Sequence, residues 1–141
     1  MEVYVNYWVV IVAAVANMAL GFVWYGPLFG KIWISLMAFT PEKMEEAKKK
    51  GMTKTYVIAF AGSLLMAFVL YHAIVFASYY LEVTGISAGL QAAFWNWIGF
   101  VVPVTLSSLL WEGKSLKLWF LNIGYYLVSL VLMGVILSYW M

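Results

Sequence analysis

The chain has no cysteine, no aspartate and no arginine. Without cysteine there is no disulfide, no thiolate metal site and no thiol nucleophile, and redox compartment leaves no trace. Charge is scarce: eight lysines, six glutamates and one histidine among 141 residues, 10% charged overall. Soluble domains carry nearer a quarter. No long apolar run contains a lysine or a glutamate. Nothing marks a serine as partner to the lone His72, and a metal site would need glutamates from the loops beside it. The expectation is therefore no enzyme, no cofactor and no metal. A single short lysine run is the only feature suited to nucleic acid, so no nucleic-acid partner is expected.

What is present is apolar. Hydrophobic residues make up 66% of the chain, and mean hydropathy is +0.94. Four runs, about 5–25, 56–81, 90–110 and 118–139, approach or exceed the roughly 20 residues needed to cross about 30 Å of hydrocarbon. The sequence predicts an all-α membrane protein, one integral membrane domain over 1–141, with an insert at 26–55. Ala14-Val15-Ala16 imitates a signal-peptide cleavage site. But Glu2 replaces the usual basic flank and the apolar run continues past that site, so a retained helix is predicted.

Lysines set the orientation. All eight lie in the loops after the first and third runs; the other side holds Glu2 and Glu82 and no base. Cytoplasmic loops collect lysine, so both termini are predicted outside the cell membrane. Short loops join antiparallel neighbours, which predicts four helices in an up-down bundle.

The stretch NMALGFVWYGPLFGKIW, residues 17–33, raises a specific question. A phosphate-binding loop needs G-x-x-x-x-G-K-[ST] after a strand. Gly26 to Gly30 is one residue short, Ile32 stands where a hydroxyl is required, and an apolar helix precedes it. Pro27 instead predicts a helix break at the membrane boundary, with Trp24 and Tyr25 at headgroup level. Leu28, Phe29, Ile32, Trp33, Leu36 and Met37 then recur at helical spacing. That pattern suits an interfacial helix lying on lipid or packed on the bundle. TPEKMEEAKKKG, residues 40–51, reads as a short charged cytosolic helix. Thr40 is a good N-cap, Pro41 fits the first turn, lysines fill the last, and Gly51 caps the end. Lys48, Lys49, Lys50 and Lys54 are the candidates for anionic-lipid contact, beside the simpler role of fixing topology.

Small residues at four-residue steps predict packing seams: Ala13-Asn17-Gly21, Ala59-Ser63-Ala67, Gly99-Pro103-Ser107, and Tyr125 or Tyr126 with Ser129 and Gly134. Four polar residues stand out inside the runs: Asn17, His72, Asn96 and Asn122. Buried polar groups need partners. Depth counting predicts two layers, His72 with Asn96 and Asn17 with Asn122. His72 is a functional candidate by virtue of being ionisable, though no carboxylate accompanies it.

Asn17, then Gly21 to Lys31 with Trp33 and Phe39-Thr40, resembles the signature of small membrane proteins grouped as domain of unknown function 1761. Trp97-Ile98-Gly99-Phe100, Trp111-Glu112-Gly113, Trp119, Asn122, Gly124-Tyr125 and Gly134 are similar to that family's second half. The resemblance implies a compact four-span bundle with no assigned activity. It implies that Asn17, Trp24, Tyr25, Pro27, Trp97 and Asn122 belong to the family pattern; His72 has no place in it. Two functions stay open. The first is a structural or accessory subunit, contacting membrane lipids and packing with itself or another membrane protein. The second is a small-molecule or lipid binding or transport module with a site near Asn17, Asn122 and Trp24–Tyr25. The first ranks ahead because no span carries a charge to move or couple.

Overall fold

The computed structural model describes residues 2–141, and among them it is helical without strands. The helices are α1 (Tyr7–Val23), α2 (Gly30–Leu36), α3 (Pro41–Lys50), α4 (Thr53–Leu81), α5 (Gly85–Asn96), α6 (Val102–Thr105), α7 (Ser107–Leu110) and α8 (Leu116–Tyr139). Two π-helical turns, Trp24–Leu28 and Trp97–Val101, extend α1 and α5. Four helical stretches are long and apolar enough to cross a membrane: Tyr7–Leu28, Thr53–Leu81, Gly85–Leu110 and Leu116–Tyr139.

These stretches begin earlier or end later than the apolar runs alone suggest. Capping explains part of the difference. Gly85 starts α5 in a positive-φ conformation (φ +62°), leaving Glu82 to Thr84 as the whole connection from α4. Ser115 accepts from the Leu118 amide at 3.1 Å and starts α8. The charged insert forms as its capping residues dictate. The Thr40 hydroxyl accepts from the Lys43 amide at 3.2 Å, Pro41 opens α3, and Gly51 closes it at φ +76°.

Pro27 does not stop the first helix outright. The chain widens into a π turn, in which the Phe29 amide reaches back five residues to Trp24 O at 2.9 Å. Gly26 takes non-helical angles (φ −111°, ψ −107°). Proline removes one donor, and the wider turn moves the next donor onto an earlier carbonyl. Gly30 is required where α2 leaves this turn: a Cβ there would lie 2.8 Å from Tyr25 O. Gly26 faces open space. The glycines thus serve a kink and a close backbone approach, and form no phosphate cradle.

Packing follows small residues. α1 lies against α4 and α8, α5 lies against α8 and α4, and α8 also touches α4. α1 and α4 run antiparallel: Phe22 meets Tyr56, while the Tyr71 hydroxyl reaches Tyr4 O. The core is built from Ala13, Ala67, Ile74, Ala93, Met133 and Leu137, each fully buried. Where α5 crosses α8 the backbones meet at glycine. A Cβ on Gly134 would lie 2.7 Å from Gly89 O.

The seams expected in the first and second runs are seen at Ala13, Asn17, Ser63 and Ala67, although Ala59 is exposed. The third is corrected. Gly99, Pro103 and Ser107 face outward, and the inner face is Ala88, Gly89, Ala92 and Ala93, continuing through half-buried Trp97, Val101 and Thr105. Four-residue steps drift around an ordinary α-helix of 3.6 residues per turn. The π turn absorbs that drift and keeps Trp97, Val101 and Thr105 on the α8 side.

Candidate functional site

Asn17 sits at the join of three helices. It is 5% exposed, and its Nδ2 donates to Ser63 Oγ of α4 at 2.8 Å. Its Oδ1 accepts from the Ser129 hydroxyl and from the Tyr125 hydroxyl at 3.3 Å, both on α8. Three of the amide's four bonding positions are therefore filled by protein. Gly21, one turn along α1, leaves room for Tyr125: a Cβ there would lie 3.2 Å from the phenol oxygen.

The next layer carries Asn122. Its Oδ1 accepts from the Tyr25 hydroxyl at 2.7 Å. The Tyr25 ring lies 5.1 Å from Tyr125 and 5.3 Å from Trp33, within the range of favourable edge and tilted contacts. Trp24 packs on Phe29 at 4.7 Å and beside Gly124, where a Cβ would meet its ring in ordinary van der Waals contact at 3.6 Å. Among the described residues the Trp24 indole N–H is buried without a partner.

Tryptophans also fasten the third stretch to α8. Trp97 Nε1 donates to Ile123 O at 2.8 Å. Trp119 Nε1 donates to Thr105 Oγ1 at 3.0 Å, and that hydroxyl donates to Val101 O at 2.7 Å. Thr105 thereby occupies a carbonyl beside the π turn and Pro103. Hydroxyls commonly perform this service near helix irregularities in lipid.

Of the expected residues, the structure brings Asn17, Trp24, Tyr25 and Asn122 to one end of the α1–α8 contact, with Trp97 bonded to the Ile123 carbonyl of α8. It separates His72 and Asn96 from them and from each other. His72 Nδ1 pairs with Phe68 O at 2.8 Å, and Asn96 Nδ2 donates to Ala92 O at 2.8 Å. Each is held by the carbonyl one turn back on its own helix, so the expected His72–Asn96 layer does not form. The expected Asn17–Asn122 layer is two adjacent bonded groups. Ser63 and Ser129 stood out in the sequence only as seam residues, and Tyr125 as a seam residue and within the family resemblance. Trp119 stood out only through the family resemblance, and no spacing joined it to Thr105.

Among the described residues no group of three His, Asp or Glu lies close enough to hold a metal. The grooves lie elsewhere. One of about 430 Å³ opens between α4 and the second π turn, past Leu65, Val69, Asn96 and Phe100. Another of about 410 Å³ separates α3 from α2 and the start of α4. Lys43 and Lys48 line it; Lys49, Lys50 and Lys54 do not.

No curated protein and no solved structure matches the chain. The motif around Asn17 and Trp24–Lys31, whose residues make these contacts, falls within a profile match spanning residues 8–138. The chain belongs to the family of proteins of unknown function DUF1761.

Proposed function

We propose that this chain is a structural or accessory subunit of the cell membrane. In this reading its four spans run alternately up and down, both termini lie outside, and copies of the chain pack on one another. α2 lies at the interface and α3 in the cytosol, on the side that holds every lysine. The observation that carries the proposal is the contrast between Asn17 and Asn96. Asn17 is bonded to three side chains inside the bundle. Asn96 opens on a groove walled by Leu65, Val69 and Phe100, which are 64%, 55% and 69% exposed.

Asn96 lies near the middle of the apolar stretch Gly85–Leu110. Its only hydrogen bond among the described residues runs to Ala92 O. An amide oxygen and an N–H left unmet in hydrocarbon cost several kcal/mol, of order 2–7 by transfer scales. A second copy related by a two-fold axis along the membrane normal presents the same residue at the same depth. An amide donates and accepts, so it is its own complement. Asn–Asn pairing is a known form of helix association in lipid.

The reading as a ligand module at Asn17 has less support. The amide there is engaged by protein side chains, and the grooves open on other walls. Native mass spectrometry of protein released from its own membrane tests the proposal. A dimer in wild type that falls to monomer in Asn96→Leu supports it. A wild-type monomer, or a small molecule retained by wild type and lost in Asn17→Ala, contradicts it.

A further inference from the structure

We infer that the groove beneath α3 binds an anionic phospholipid, headgroup against Lys43 and Lys48 and one acyl chain along the wall between α1 and α4. The inference rests on membrane embedding but is independent of self-association.

The first observation is how α3 is placed. It packs extensively on no other helix, and a groove of about 410 Å³ remains between it and Trp33, Phe39 and Tyr56. Yet α3 is not uniform around its axis. At 100° per residue, Lys43, Ala47, Met44 and Lys48 fall in that order within an arc of about 140°. These four line the groove. Glu42, Glu45 and Glu46 fall on the opposite half of the helix by the same count. The face turned to the groove is therefore apolar in the middle, basic at both edges and free of acid.

The second observation is continuity. Tyr56 also lines a groove of about 430 Å³ that runs down between α1 and α4 past Val15, Met18, Phe22, Val57 and Phe60. A charged slot at the membrane boundary thus leads into an apolar track on the lipid-facing wall. A free phosphate would satisfy the lysines and leave the track empty. A neutral amphiphile would fill the track and leave the lysines unmatched. A phospholipid bearing net negative charge matches both, and lysines beside an anionic leaflet attract it electrostatically.

The test uses the full chain in nanodiscs of equal phosphatidylglycerol and phosphatidylcholine, followed by native mass spectrometry that counts retained lipids. Wild type is expected to retain phosphatidylglycerol in preference. The double variant Lys43→Gln, Lys48→Gln is expected to lose that preference by at least about tenfold, since each lysine near such a surface contributes about 1 kcal/mol. Lys49→Gln with Lys114→Gln removes as much charge away from the groove and is expected to keep it. Ala47→Trp fills the groove with every lysine intact and is expected to lose the lipid. Equal retention of both lipids by wild type overturns the inference. So does equal loss in the two lysine double variants, the mark of diffuse surface charge. So does retention unchanged in Ala47→Trp. A monomer that keeps its phosphatidylglycerol counts against self-association and leaves the lipid site standing.

Discussion

At the scale of single residues, Asn17 and Trp24 make opposite predictions. Asn17→Ala leaves the hydroxyls of Ser63, Ser129 and Tyr125 without their shared partner. Hydrogen bonds between helices in lipid average about 0.6 kcal/mol each, and a stranded donor adds to that, so the loss should be about 1–3 kcal/mol. Unfolding by titration with sodium dodecyl sulfate measures it. Trp24→Phe removes an indole N–H that is buried and, among the described residues, already unpartnered. The new ring keeps most of the contact with Phe29 and Gly124. Its stability in the same titration should be within about 1 kcal/mol of wild type, with no clear loss, because no bond is broken. A loss as large as that of Asn17→Ala would show that the N–H has a partner.

At the scale of elements, the two π turns and the glycine crossing decide what the sequence could reveal. The four long apolar helical stretches, the caps at Thr40 and Gly51, and the seams through Asn17 and Ser63 were readable because each follows from local chemistry or a fixed spacing. The third seam was not. A four-residue step gives the right face only when the number of residues per turn is known, and the widened turn at Trp97–Val101 changes it. His72 and Asn96 were misjudged for a related reason. Polar residues in long apolar helices have two ways to be satisfied, across the bundle or on their own backbone. Spacing does not choose between them. The glycines of the third stretch test the corrected face. Gly89→Ala places a Cβ 2.8 Å from the Gly134 carbonyl carbon, which must force α5 off α8. A loss of at least about 1–3 kcal/mol is expected from such overpacking. Gly99→Ala meets nothing within 4 Å. It should be neutral or gain a few tenths of a kcal/mol, up to about 1, from better helix propensity. Paired thermal-stability measurements in one detergent compare the two. Equal effects would put the seam back on Gly99.

At the scale of the whole molecule, the interior and the exterior have different tasks. Inside, small residues, one asparagine and two tryptophan anchors hold four helices without a charge. Outside, large apolar side chains cover the walls, as lipid contact requires. Every lysine lies within residues 31–54 or 114–117, which in the proposed topology is one side of the membrane. That asymmetry predicts the outcome of labelling intact cells. With no native cysteine to interfere, Glu2→Cys should react with a membrane-impermeant maleimide from outside. Lys49→Cys should react only after the cells are opened. The reverse pattern would invert the topology and place the α3 groove on the outer leaflet.

The most direct test of self-association is cysteine cross-linking in intact membranes, with Phe100→Cys in the groove wall beside Asn96 and Val12→Cys on the exposed side of α1. Mild oxidation of Phe100→Cys, which keeps the Asn96 amide, should give a band of twice the monomer mass, and Val12→Cys should stay monomeric. Monomer from both variants, or equal dimer from both, would contradict the account.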